Sequence, residues 1–199
     1  MIEYTYLFEL SSIILFCLAI WHFKKTFPKE KLLLFFIPAV IWGYIVELTA
    51  IYLYHIYYYP QTYFLSLFGV PIAISLGWAT ATYIGLYITT KKFHIKKVIN
   101  VDIDTAIAST ILDFIIIEPI AFFYKFWVWQ ENDFWFQAPL FNFVGWFLVI
   151  TIFMLSYNYT RKNYKDTTQQ IAALSALLLV GLIILELITI LYKILFGWF

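Results

Sequence analysis

The chain has 199 residues, of which 63% are hydrophobic and only 13% are charged. A soluble domain carries roughly 25% charged residues, so this composition excludes an ordinary soluble protein and predicts an integral membrane protein. The formal net charge of +1 offers no basic face for nucleic acid, so we expect no nucleic-acid partner and look for partners in the lipid bilayer. The single cysteine, Cys17, excludes a disulfide or a cysteine metal cluster within one chain.

Six apolar segments are long enough to cross about 30 Å of hydrocarbon as a helix of roughly 20 residues. In chain order they lie near residues 4–22, 32–54, 64–90, 101–124, 138–159 and 171–195. The predicted fold class is therefore an all-α integral membrane protein, a single bundle of about six transmembrane helices. Residues 1–199 are expected to form one polytopic transmembrane domain of a multi-pass protein in the cell membrane.

The basic residues are concentrated in alternate linkers. Eleven of the 13 lysines and arginines lie in the first, third and fifth linkers, which read KKTFPKEK, KKFHIKK and RKNYKD. The positive-inside rule places linkers of this kind in the cytoplasm. Both termini are therefore predicted to be non-cytoplasmic.

The third segment has two unusual features. Gly69–Pro71 lies near its start and lacks one backbone donor, so the helix is predicted either to bend there or to begin after a short re-entrant turn. Small residues then recur every four positions and predict close packing against a neighbouring helix: Ala73, Gly77, Ala81 and Gly85. No clear internal repeat is expected in the chain.

Several acids fall within the predicted spans. Because successive helices run in opposite directions, five acids are placed between the midplane and the outer interface: Glu9, Glu47, Asp113, Glu118 and Glu186. Asn142 and His55 lie on the same side. Ionisable groups inside spans are costly and usually face the bundle interior, where they pair or carry function. Glu118 precedes a proline, which disfavours continuing helical geometry, so its carboxyl group is predicted to lie at a helix break that lines a cavity.

Other acids have simpler explanations. Glu9 and His55 lie close to predicted helix ends, and we expect them to reach water at the outer interface. Asp102 and Asp104 begin the fourth segment, where N-capping and the helix dipole favour acidic side chains.

No lysine or arginine lies deep in a span to neutralise the remaining acids. Burial without a counter-charge favours the neutral form of a carboxyl group, so at least one acid is expected to be protonated at neutral pH. A neutral acid beside a carboxylate in a dry pocket can both donate and accept a proton, as acid–base catalysis requires. A structural pair of acids sharing one proton would have the same sequence, so both interpretations remain open.

Aromatic residues make up 23% of the chain. Belts of tyrosine and tryptophan at the membrane interfaces explain many of them. Aromatic walls around buried acids would also suit a carbocation, or the stacking of a long polyene. The three histidines, His22, His55 and His94, are not spaced as metal ligands. No nucleotide-binding motif occurs either, so the sequence predicts chemistry without metal or cofactor.

Three blocks carry a family resemblance: GVPIAISLGW at 69–78, DFIIIEP at 113–119 leading into WVW at 127–129, and APLFNFVGW at 138–146. Together they are similar to the carotenoid biosynthesis membrane protein family that includes bisanhydrobacterioruberin hydratase. The resemblance implies an enzyme that hydrates the terminal double bond of an acyclic carotenoid in the membrane. It also implies that the following residues occupy matching positions: Glu47, Asp113, Glu118, Asn142 and Trp146.

These inferences assign a role to each candidate residue. Asp113 is the expected proton donor, Glu118 or Glu47 is expected to orient water and accept its proton, and Asn142 is expected to hold that water or carboxylate. The expected substrate-binding wall comprises Asn142, Trp146, Trp78, Trp127, Trp129 and Tyr54.

Three alternatives remain open. Without access for water, the same acids would produce a carotenoid or isoprenoid cyclase. The chain could also be a non-catalytic carotenoid-binding scaffold or a proton-coupled transporter. The expected partners are an acyclic carotenoid or another long isoprenoid, the lipid bilayer and other carotenoid enzymes.

Overall fold

The computed structural model describes residues 4–92, 100–130 and 134–196. Seven α-helices form most of the chain: α1 (Tyr4–Thr26), α2 (Leu32–Leu48), α3 (Ile72–Tyr87), α4 (Val101–Leu112), α5 (Glu118–Tyr124), α6 (Leu140–Asn163) and α7 (Thr167–Phe196). Three π-helical segments extend or join them: π1 (Thr49–Leu53), π2 (Ile88–Lys92) and π3 (Asp113–Ile117). Four two-residue strands lie in the linkers: β1 (Tyr57–Tyr58), β2 (Ser66–Leu67), β3 (Val70–Pro71) and β4 (Val128–Trp129).

Six helices in the described part of the chain are long and apolar enough to cross a membrane, which confirms the predicted all-α bundle. They are Tyr4–Thr26, Leu32–Leu53, Ile72–Lys91, Val101–Tyr124, Leu140–Asn163 and Thr167–Leu195. The membrane orientation stays a prediction, because the length and composition of the helices do not fix their direction. His94, Lys96 and Phe199 lie outside the described residues.

The first helix shows how the sequence sets these boundaries. α1 runs for 23 residues without a glycine or proline, which would weaken a helix. Lys24 and Lys25 lie in its last turn, where positive charge interacts favourably with the helix dipole. Pro28 follows and disfavours helical geometry in the residue before it, so the chain turns towards α2.

The third helix begins at Ile72, so its predicted start near residue 64 is wrong. Residues 66–71 instead form the hairpin β2–β3, with Leu67 opposite Val70. Gly69 has a φ of +70° in this turn, a left-handed conformation that glycine adopts without a steric penalty. Pro71 then precedes the helix in an extended conformation. Of the two predictions for this segment, the short turn before the helix is confirmed.

The fourth span is continuous from α4 through π3 to α5, so the predicted helix break at Glu118 is wrong. Glu118 has helical backbone angles, with φ −62° and ψ −43°. Its N–H donates to the carbonyl of Asp113, five residues earlier. Pro119 has no N–H to donate, and the wide π turn absorbs this interruption without ending the helix.

The bundle is arranged around α3, which packs against α1, α2 and α4, while α6 packs against α4 and α7. We call the end of the bundle that carries β1 and β4 the strand end, and the opposite end, where α1 ends and α2 begins, the basic end. The basic end is filled by an aromatic core of residues at most 2% exposed: Phe23, Phe35, Phe36, Phe153 and Tyr157. The half of the bundle at the basic end is therefore densely packed, and the half at the strand end is more open.

The small residues along α3 have different surroundings. A Cβ at Gly85 would lie 2.2 Å from Ser109 Oγ and 2.7 Å from the Thr105 carbonyl oxygen, so glycine permits the close contact with α4. A Cβ at Gly77 would have no heavy atom within 4 Å. The prediction that the stripe packs against a neighbour therefore holds at Gly85 and is wrong at Gly77.

Two predictions for acids near helix ends need correction. Glu9 is buried and does not reach water, because its carboxylate accepts the backbone N–H groups of Phe64, at 3.2 Å, and Leu65, at 2.7 Å. The N-cap of α4 is Asn100, whose side chain accepts the N–H of Asp102 at 3.3 Å. Asp102 and Asp104 lie in the first turn, as the dipole argument predicts, but both are buried. His55 is exposed.

Candidate active site

A cavity of about 470 Å³ occupies the strand-end half of the bundle and is lined by residues from all six spans. Its volume lies within the range of roughly 300–1,000 Å³ that is usual for small-molecule sites. The cavity brings together all nine residues proposed from the sequence: Glu47, Tyr54, Trp78, Asp113, Glu118, Trp127, Trp129, Asn142 and Trp146.

Glu47 lies near the end of α2 and is only 5% exposed. Its Oε1 accepts the indole N–H of Trp78 at 2.7 Å. Its Oε2 accepts the hydroxyl of Tyr59 at 2.8 Å and the hydroxyl of Tyr57. Three donors therefore hold this carboxylate at the cavity wall, and a buried carboxylate needs such donors to offset its lost hydration.

Tyr57 and Tyr59 were not among the residues proposed from the sequence. Successive side chains in an extended segment point to opposite faces, so positions 57 and 59 share one face while Tyr58 is 48% exposed on the other. Alternation within the run HIYYYP was the available signal. Burial raises the pKa of both buried tyrosines well above the ordinary value, and the negative charge of Glu47 adds to the effect. Both hydroxyls therefore remain donors at physiological pH.

Glu118 begins α5 and is 2% exposed. Its Oε2 accepts the indole N–H of Trp129 at 3.0 Å and that of Trp127 at 3.3 Å. Its Oε1 accepts the side-chain amide of Asn142 at 3.0 Å. Like Glu47, it is held by three donors.

Asp113 is fully buried and is held less completely than the two glutamates. Its Oδ2 accepts from Asn142 Nδ2 at 3.1 Å, so one amide nitrogen donates to both Asp113 and Glu118. Its Oδ1 is buried and has no hydrogen-bond partner in the described part of the chain. Asp113 is therefore the acid with a free oxygen in the cavity wall.

The π turn explains how one amide reaches both acids. Five residues make about 1.4 turns of an α-helix, which would leave Asp113 and Glu118 on different faces. The wider turn of π3 brings positions five apart closer to the same face. The segment DFIIIE therefore directs both acids towards Asn142.

No lysine or arginine lines the cavity among the described residues. Two carboxylates that share one donor repel each other, so a proton on one of them stabilises the pair. An acid with a free oxygen beside a carboxylate that three donors hold can donate a proton to an apolar substrate while its neighbour accepts one. Within residues 4–92, 100–130 and 134–196, no three His, Cys, Asp or Glu side chains are close enough to hold a metal ion.

Aromatic side chains separate the polar groups of the cavity. Trp78 and Trp146 stack with ring centroids 3.8 Å apart and an interplanar angle of 16°. Tyr54 lies on the α7 side, where its hydroxyl donates to Glu186 and Lys193 Nζ lies 4.9 Å from its ring centroid. Tyr54 is thus tied to a separate polar cluster.

Two helix starts in the site share one sequence pattern. PIAISLGW at 71–78 begins α3, and PLFNFVGW at 139–146 begins α6, and the two segments share proline, glycine and tryptophan at the same positions. Gly77 and Gly145 are equivalent in the pattern, and a Cβ at either would meet nothing within 4 Å. α3 follows β3 of the β2–β3 hairpin, whereas α6 follows β4, which pairs with β1. The cavity is therefore built from two similar segments.

Comparison with known proteins gives a family match. A model of the family described as carotenoid biosynthesis protein matches residues 4–198. No curated protein matches the chain, and no solved structure matches it.

Proposed function

Because the chain belongs to the carotenoid biosynthesis protein family, we propose that it is a membrane enzyme that adds water to the terminal double bond of an acyclic carotenoid by acid catalysis. One observation carries the proposal. Asp113 has a buried, unpartnered oxygen in an apolar cavity, beside Glu118, which three donors hold. This arrangement suits proton transfer to a substrate that offers no polar group.

In the first step, the carboxylic acid of Asp113 transfers its proton to the terminal alkene. A new C–H bond forms at one alkene carbon, and the other becomes a tertiary carbocation. The side chain left behind is a carboxylate, and Asn142 Nδ2, already 3.1 Å from Asp113 Oδ2, stabilises it by donating a hydrogen bond. General acid catalysis of this kind contributes about 10²- to 10⁴-fold to a rate.

The carbocation would be stabilised by the walls of the cavity. Aromatic faces attract cations, by about 2 kcal/mol where the pair is shielded from water. The Trp78–Trp146 stack supplies such rings beside the acids. Glu47 and Glu118 add negative charge that is already fixed in place by hydrogen bonds, so it needs no rearrangement as the positive charge develops.

In the second step, water attacks the carbocation, and a glutamate accepts the released proton. A carboxylate has about four acceptor positions, and Glu47 and Glu118 each accept three hydrogen bonds. One position therefore remains on each for a water molecule. The alkene and one water become a tertiary alcohol, and return of the proton from the glutamate to Asp113 completes the cycle.

Cyclisation is the second candidate, and the closed strand end of the cavity favours it. β1 pairs with β4 there, and Gln130 N–H donates to the Ile56 carbonyl at 3.0 Å, which restricts access for bulk water. If an internal alkene captured the carbocation before water did, the same acids would produce a ring.

Expression beside an acyclic carotenoid pathway tests the proposal. We expect a product heavier by one water, with a vector lacking the gene as the control. A product of unchanged mass and shorter chromophore would identify a cyclase. An unaltered carotenoid pool, with the protein shown to be folded, would contradict both reactions and favour a scaffold or a transporter.

A further inference from the structure

Nearly all residues that line the cavity are buried or half-buried, and the exceptions lie together. The exposed lining residues in the described part of the chain are Ser11 and Leu15 of α1, Ile116 of π3 and Ile120 of α5. Leu15 is 54% exposed, Ile116 is 47% exposed and Ile120 is 45% exposed. We call these four residues the lateral window, because they lie on two helices that face each other across the cavity.

The window is closed towards the strand end. The rings of Phe8 and Phe126 lie 4.4 Å apart, and those of Tyr4 and Tyr124 lie 4.9 Å apart, so α1 meets the end of α5 there. Glu9 fixes the neighbouring linker through the N–H of Leu65. Entry from water at this end is therefore obstructed by packed side chains.

The window is also closed towards the basic end. His22 of α1 contacts the hydroxyl of Tyr83 on α3. On the other side, Ser109 of α4 donates to the Ala81 carbonyl at 3.1 Å, and Gly85 permits that close approach. Between these two closures, α1 and α4 both pack on α3.

Small side chains of α3 form the floor behind the window. Ala73, Gly77 and Ala81 all line the cavity, and a Cβ at Gly77 would meet nothing within 4 Å. Asp113, fully buried and with Oδ1 unpartnered, lines the same space three residues before Ile116. A group that enters through the window would therefore lie beside the turn that carries the candidate proton donor.

We propose that the lateral window binds the hydrocarbon chain of a long isoprenoid that enters sideways from the bilayer, with its end group at Asp113. This inference rests on the proposed function for the identity of the hydrocarbon chain. A long polyene dissolves in lipid and not in water, and the exposed rim is largely isoleucine and leucine. The cavity volume of about 470 Å³ suits an end group, so the rest of a long chain must leave through an opening.

Spin labelling tests occupancy of the window without relying on turnover. Cys17 is the only cysteine, so Cys17→Ser provides a background for single cysteines. Ile116→Cys places a nitroxide in the window, and Ile115→Cys is the matched control, because Ile115 is 61% exposed on the same segment but does not line the cavity. Both proteins are reconstituted in nanodiscs, and lycopene, an acyclic polyene, is added.

We expect lycopene to immobilise the nitroxide at position 116 in a saturable manner and to leave the nitroxide at 115 mobile. At about tenfold above the half-saturating concentration, roughly 90% of the label at 116 should be immobilised. Turnover is measured in parallel on two double variants. Leu15→Trp with Ile116→Trp narrows the window, whereas Leu18→Trp with Ile115→Trp adds the same bulk at exposed positions outside it.

The outcomes separate this inference from the proposed function. Saturable immobilisation at 116 without any product would support the window and contradict hydration. Product formation with no immobilisation at 116, and equal turnover in both tryptophan pairs, would overturn the window and leave hydration standing. A protein that shows neither immobilisation nor product would overturn both.

Discussion

Replacement of Asp113 by asparagine removes the titratable proton and preserves the shape of the side chain. The amide oxygen of Asp113→Asn can still accept from Asn142, as Oδ2 does at 3.1 Å. The amide nitrogen then takes the place of Oδ1, which has no hydrogen-bond partner among the described residues. One buried unsatisfied polar atom replaces another, so we expect the free energy of unfolding to change by no more than about 1 kcal/mol.

The effect on the reaction should be much larger. General acid catalysis contributes about 10²- to 10⁴-fold, which corresponds to roughly 3–5 kcal/mol of activation free energy. Turnover per folded molecule should therefore fall at least 10²-fold. The large effect on rate and the small effect on stability together distinguish a catalytic acid from a structural one.

The assay measures turnover and thermal unfolding on the same purified preparation. Asp102→Asn is the matched control, because Asp102 is also buried in the fourth span and accepts from an asparagine amide, that of Asn158. Asp102 does not line the proposed active site. Its replacement should leave turnover per folded molecule close to the wild-type value.

Turnover near the wild-type level in folded Asp113→Asn would refute the reasoning and transfer the proton-donor role to Glu118 or Glu47. Equal losses of turnover in Asp113→Asn and Asp102→Asn would also refute it, because the effect would then come from disturbing the fourth span. A large loss of stability without loss of turnover would identify a structural pair that shares a proton.

Three further predictions concern the site and its surroundings. Tyr57→Phe removes a donor to Glu47 and should lower the free energy of unfolding by about 1–3 kcal/mol, whereas Tyr58→Phe on the exposed face should not. Burial also raises the pKa of Tyr57, so the unfolded chain ionises first, and the wild-type thermal midpoint should fall as pH rises above about 10. Gly77→Leu should reduce carotenoid binding without lowering the thermal midpoint, whereas Gly85→Leu should lower the midpoint through its clash with Ser109; equal midpoint losses would contradict the open space at Gly77. Accessibility tags should place Lys96 in the cytoplasm and Phe199 outside it, and a tag at Lys96 that reacts from outside would reverse the orientation.

The spans and the acids could be predicted from the sequence because the lipid bilayer cannot hydrogen-bond backbone groups or solvate charged side chains. A run of about 20 apolar residues can satisfy its backbone in hydrocarbon only as a helix, so six runs predict six helices. An acid inside such a run must face the protein interior. That reasoning selected Glu47, Asp113 and Glu118, which line one cavity.

Local backbone geometry was harder to predict. Pro119 disfavours an α-helix at Glu118, but the sequence does not show that a π turn will absorb the interruption. Propensity alone also cannot distinguish a glycine that packs closely, as Gly85 does, from one that borders open space, as Gly77 does. Both depend on the distance between helices, which only the assembled bundle determines.

The order of hydrogen-bond donors along the chain has a consequence for synthesis. Every donor to Glu47 and Glu118 follows its acid in the sequence: Tyr57, Tyr59 and Trp78 for Glu47, and Trp127, Trp129 and Asn142 for Glu118. A nascent chain therefore delivers each acid to the translocon ahead of the residues that will bind it, and an ionisable group inside a span is costly. We therefore expect spans two and three, and spans four and five, to insert as two pairs, because the donors to each acid lie in the following linker and the next helix.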